Sequence, residues 1–203
     1  MPPDSRLTWL FVALTMILMG YFMVWLPHEA AGLSYIGLEM GEQAKFLPQV
    51  RSGEILPGRS LFYVPPVSVG LILVFLSSQW PLERWQTWVA RSLGPLISTL
   101  ALPALEAVGA EPAEWLWRVI MIGLVFALAL LSPLLSRMPN RFLWLLIGAT
   151  AFFGALLPGW VFLEVQAGFA ALQRQPIGIG AGVWINVGGH ILAAAVALAE
   201  LRE

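Results

Sequence analysis

The chain has no cysteine among its 203 residues. Disulfides, thiolate metal sites and thiol nucleophiles are therefore excluded. Charge is almost as scarce. Asp, Glu, Lys and Arg make up 11% of the chain, against about 25% in a soluble domain. A formal net charge of -1 with eleven scattered basic residues gives no stripe that could track phosphates, so nucleic acid is not a partner. There are two histidines, His28 and His190. The signatures of catalytic sites are missing as well: no GxSxG elbow, no HExxH, no P-loop and no dinucleotide-binding glycine fingerprint. No Asp/Asn ladder marks a calcium loop. The glycine-rich "GIGAGVWINVGG" follows no strand. These absences lead to the expectation of a non-enzymatic protein with no cofactor and no metal.

Apolar residues are abundant, 59% of the chain. A soluble fold could not cover that much hydrocarbon, so the expected solvent is lipid. A spanning helix needs about 20 mostly apolar residues. Five runs qualify at once: 7–26, 61–79, 115–135, 142–163 and 177–198. The first is too long for the apolar core of a signal peptide and is read as a retained span. A sixth span at 91–108 is interrupted by Pro95 and Pro103, with Arg91 and Glu106 near its ends. Such a segment can still span when its ionisable groups reach the headgroups.

Basic residues favour six spans. With both termini cytoplasmic, Arg6, Arg84, Arg91, Arg137, Arg141 and Arg202 fall on short inner segments. With five spans the bias reverses, against the positive-inside rule. Tryptophans agree, because most of them bracket a span as an interfacial belt. The predicted fold is thus an all-α integral membrane protein. It is one polytopic domain, a six-span bundle in a bacterial-type inner or plasma membrane, with N and C termini cytoplasmic.

The outer loop, 27–60, carries its own pattern. Leu33, Ile36, Met40, Ala44 and Leu47 form one helical stripe, with Glu39, Glu42 and Lys45 off it. Pro48 ends the pattern. A short amphipathic helix is expected here, lying on the outer surface or packed across the bundle, as a lid or as a docking surface. The segment 164–176 is expected to continue helically along the interface.

Two groups of residues are candidate sites. In the last span, Gly178, Gly182, Asn186, His190 and Ala194 are four apart and so share a helix face. Small residues permit close helix approach, and Asn and His can hydrogen-bond across it. That face is either packing glue or a polar site for a solute, a proton or an axially ligated pigment. On the outer side, Glu106, Arg118 and Glu164 are predicted at similar depth, as a structural clamp or a site for an anionic group. The expected role is a subunit or scaffold of a membrane assembly. Its partners are the lipid bilayer and other membrane subunits or further copies of itself. The alternatives are a small permease and, more weakly, a haem- or pigment-binding subunit.

Overall fold

The computed structural model describes residues 3–28, 34–54, 58–103 and 112–202. It is about 79% helical with almost no sheet, and four of its helices are long and apolar enough to cross a membrane. These are Ser5–Phe22, Arg59–Ser77, Asn140–Gln173 and Ala181–Leu201.

The elements follow in order. Helix α1 is Pro3–Phe22, and a short antiparallel ribbon pairs β1 (Val24–Leu26) with β2 (Tyr35–Ile36). Next come α2 (Gly37–Ala44), α3 (Pro48–Arg51), a 3-10 turn at Arg59–Tyr63 and α4 (Val64–Ser77). Then follow α5 (Trp85–Ser98), α6 (Pro112–Leu130), α7 (Ser132–Leu135), α8 (Asn140–Gln173) and α9 (Ala181–Leu201).

The ribbon corrects the expectation that the first span runs to Leu26 and that the fold is purely α. Helix α1 stops at Phe22 because the Trp25 indole N–H donates back to the Gly20 carbonyl at 2.8 Å, occupying a terminal acceptor. The chain then extends, and Val24 and Leu26 pair with Ile36 and Tyr35. A second correction concerns the span 115–135. It breaks after Leu130, and α7 restarts with Pro133 in its first turn. Proline cannot donate to the preceding helix and crowds the carbonyl four residues back. A third concerns 91–108. Helix α5 is 14 residues long and ends in a 3-10 turn at Thr99–Ala101; residues 104–108 lie outside the described residues. The last helix begins at Ala181 rather than Ile177.

Helix α4 is the hub. Of its apolar window 78% is buried, against 33–44% for the other three long helices. It packs on α1, α5, α6 and α8. Around it, the exposed faces remain apolar: Leu116, Ile120 and Leu124 on α6, Phe152, Leu156 and Leu163 on α8, Trp184, Ile191 and Leu198 on α9. Helix α8 has 34 residues, about 51 Å at 1.5 Å per residue, well beyond a hydrocarbon core of about 30 Å. It fuses the run 142–163 with most of the 164–176 connector into one helix.

Helices α1 and α9 lie antiparallel along their whole length. Gly20 meets Gly182, Ile17 meets Asn186, Ala13 meets Gly189, and Arg6 meets Glu200. The two ends of the described chain therefore lie at the same end of the bundle.

The loop between α1 and α4 is folded into the bundle. Met40, Ala44 and Leu47 are fully buried, as their stripe requires; Leu33 lies outside the described residues. They join Tyr21, Trp25, Phe62, Phe162 and Val165 in a second apolar core beyond the main one. Trp25 stands edge-on to both Phe62 and Phe162.

Candidate functional site

Two polar centres lie in this framework. The first is the junction where the loop meets the bundle. Glu42 projects from α2, off the apolar stripe, towards Arg59, Tyr63 and Arg118. One carboxylate oxygen accepts from Arg118 Nη2 at 2.8 Å and from the Tyr63 hydroxyl at 2.9 Å. The other accepts from Lys45 Nζ at 3.3 Å and Arg59 Nη1 at 3.4 Å. Arg118 also lies over the Tyr63 ring, 3.8 Å from its centroid, a close cation–π contact.

The burial is uneven. The side chains of Arg59 and Arg118 are 4% and 3% exposed, and that of Glu42 is 35%. Three cations thus share one carboxylate, and two of the cations are out of water. Burial acts to raise the Glu42 pKa. The hydrogen bonds from Arg118 and Tyr63 and the charges of Arg118 and Arg59 outweigh it, and the carboxyl is held at about 2. The Glu42 carboxylate is ionised at any physiological pH.

This arrangement corrects the predicted outer cluster. Arg118 is buried and paired, but its partner is Glu42 of the loop rather than Glu164. Glu164 is exposed on α8, beside a surface cleft with Gln49 and Glu54. Glu106 lies outside the described residues. The physical reason is reach: α2 is folded over the N-terminal ends of α4 and α6, so a loop carboxylate arrives where a helix carboxylate was expected. A buried arginine is costly unless its charge finds a partner, and that requirement is visible in sequence. Which of the candidate glutamates meets it depends on the path of the loop.

The second centre is the seam of α9 with α1, α4 and α8. A Cβ on Gly182 would stand 2.7 Å from the Gly20 carbonyl oxygen, so the two backbones touch. One turn on, Asn186 Nδ2 donates to the Ile17 carbonyl at 2.8 Å. A turn further, His190 points between α4 and α8. Its Nδ1 lies 3.0 Å from the Asn186 carbonyl and its Nε2 2.8 Å from Ser68 Oγ. A Cβ on Gly154 of α8 would overlap the imidazole, so that glycine makes room for the ring.

The tautomer follows from the partners. A carbonyl only accepts, so Nδ1 carries the proton. In the neutral ring Nε2 is then bare and accepts from the Ser68 hydroxyl. That hydroxyl also lies 2.7 Å from the Pro65 carbonyl, which it can serve only by turning away from His190. Asn186, His190 and Ser68 are each at most 2% exposed. Both ring nitrogens are occupied, so an axial-ligand role would require breaking one of these bonds. The hydroxyl–imidazole distance resembles a nucleophile–base pair. Ser68, however, sits inside α4, where backbone amides are committed to the helix and offer no paired donors to an oxyanion.

Gly178 does not belong to this face. It is exposed and lies in the extended segment before α9. The buried face is Gly182, Asn186, Gly189, His190 and Ala193, so Ala193 takes the place that a strict four-residue repeat gave to the half-buried Ala194. Ser68 is the member that sequence reading missed. It is 122 residues away from His190, and no local spacing links them.

A groove of about 440 Å³ lies between α8 and α9, touched by His190 at its base and otherwise lined by Ala, Val, Leu, Ile and Phe side chains. Among the described residues, no group of three or more His, Asp or Glu could hold a metal ion. No protein-family model, curated protein or solved structure matches the chain.

Proposed function

We propose that the chain is a six-span integral membrane protein with cytoplasmic termini, and that it acts as a non-enzymatic scaffold or subunit of a membrane assembly. The observation that carries this reading is that the side chains of both polar centres find their partners within the fold, with Asn186 Oδ1 left over. Glu42 accepts from four donors, Lys45 after α2, Arg59 and Tyr63 of the 3-10 turn and Arg118 of α6, and Asn186, His190 and Ser68 bind one another or backbone. The groove that reaches His190 is lined by hydrocarbon rather than by groups for a solute, which favours a scaffold over a permease.

The antiparallel pairing of α1 with α9 supports an even number of crossings. It places Arg6 and Glu200 at one end of the bundle and the loop junction at the other. In this topology the folded-back loop forms a rigid outer platform, available to other membrane subunits or to another copy of the chain.

Two measurements test the reading. The native chain has no cysteine, so a single cysteine at Asn140 reports topology; labelling only from outside overturns the six-span arrangement. Purification in mild detergent tests the role. A stoichiometric partner or a defined homo-oligomer is expected. A partner-free monomer that moves a solute across proteoliposomes would sink the scaffold reading in favour of the permease.

A further inference from the structure

A second groove, of about 340 Å³, runs along the end of the bundle where the termini lie. Its floor is Leu73 of α4 and Ala90 of α5, both buried. Leu7 and Phe11 of α1 form one wall; Val89 and Leu93 of α5 form the other. One end is closed by Trp80 and Arg84 of the α4–α5 turn and by Trp85 and Gln86 of the first turn of α5.

The chemistry of the two ends differs. The body is hydrocarbon. The closed end offers a guanidinium, a side-chain amide and two indole N–H groups. The neighbouring cations are committed: Arg6 to Glu200, Arg91 to the Ser77 carbonyl and the Trp88 ring. The Trp88 indole is committed to the Leu82 carbonyl. Among the described residues, the side chains of Arg84, Trp80 and Trp85 make no such bond. Glu83 lies in the same turn, next to Arg84, but does not line the groove. A donor-rich, cationic head on an apolar channel complements an anionic headgroup joined to an acyl chain, and the indoles suit the boundary between them.

We propose that this groove is a binding site for one anionic phospholipid, with its phosphate at Arg84 and Gln86 and an acyl chain between α1 and α5. The site uses the membrane setting of the preceding reading but not the scaffold role. It fits the end of the bundle assigned to the cytoplasm, where anionic lipid is concentrated.

Native mass spectrometry of the full chain in detergent tests it, with phosphatidylglycerol, phosphatidylcholine and glycerol phosphate added at equal concentration. One phosphatidylglycerol adduct is expected to outlast the phosphatidylcholine adduct, and glycerol phosphate should not bind. Arg84→Ala should weaken the phosphatidylglycerol adduct about fivefold, the worth of one basic residue at a lipid surface. Arg137→Ala should leave it unchanged. Leu93→Trp, at a partly exposed wall position, should remove the adducts of both lipids. If Arg84→Ala does not fold, Arg84→Gln serves in its place. Equal adducts of the two lipids, indifferent to Arg84 and to Leu93→Trp, overturn the site. Glycerol phosphate binding as well as the lipid overturns the acyl-chain half of the proposal. Failure of the membrane reading is distinguishable, because a chain that stays monodisperse without detergent contradicts that reading independently of any adduct.

Discussion

At the loop junction, Glu42 is charged and part-exposed, and it holds two buried arginines and a lysine through long side chains. Along the middle of the seam between α9 and α1, away from the Arg6–Glu200 pair at its end, contacts rest on buried hydrogen-bonding groups, and backbones touch through Gly20 and Gly182. Both regions fasten one segment to another. The difference lies in what each can use. The junction lies at the edge of the bundle, where a carboxylate can keep partial contact with water while it neutralises cations. The seam runs through the interior, where an unpaired charge is costly and association rests on close packing and neutral hydrogen bonds.

The comparison is sharpest at Glu42. Glu42→Ala should destabilise the folded chain by about 3 kcal/mol, because two buried guanidiniums lose their carboxylate; Lys45→Ala, at the exposed rim, should cost under about 1 kcal/mol. Thermal unfolding in detergent measures both. Equal effects would mean that the junction is surface decoration. The same residue sets a pH signature. Its folded pKa of about 2 lies below the ordinary value of 4.5, so its stabilisation is fully present above about pH 4.5. The stabilisation is lost as pH falls from there through about 2. Glu42→Gln should flatten this acid dependence, whereas seam variants should retain it.

Next in size is the backbone contact. Gly182→Val should cost about 1–3 kcal/mol by forcing α9 away from α1, read as a lower unfolding temperature. A change of that kind at Gly178, which is outside the contact and exposed, should do little. A tolerated Gly182→Val would show that the helices do not meet as described. Smaller still are the seam hydrogen bonds. Asn186→Ala and Ser68→Ala should each cost about 0.6–2 kcal/mol. A double-mutant cycle between Ser68→Ala and His190→Ala should show coupling, and a cycle between Ser68→Ala and Lys45→Ala should show none.

Part of this was legible in the chain. The stripe of Met40, Ala44 and Leu47 announced a helix with one buried side, and it is buried. Gly182, Asn186 and His190 marked one small-and-polar helix face, left between packing and a polar site, and in the structure that face packs against α1, α4 and α8. The partners were not legible. Asn186 meets Ile17 across 169 residues, His190 meets Ser68 across 122 and Arg118 meets Glu42 across 76. Periodicity reports which face of a helix is buried, not which helix covers it. The misplacement of Gly178 has the same origin. A four-residue repeat continues on paper past the point where the Gly180 N–H bonds to the Trp25 carbonyl and the helix begins.

By itself the sequence determined the apolar character of the chain, the absence of thiol chemistry, the helical character and the need of Arg118 for a partner for its charge. These follow from residue types and short-range spacing, which carry their physics locally. Only the tertiary structure decided that Glu42 meets that need, that Ser68 faces the second nitrogen of His190, and that the loop between α1 and α4 is part of the bundle. Each depends on where distant segments are brought together, and that is set by the packing of whole helices rather than by any one of them.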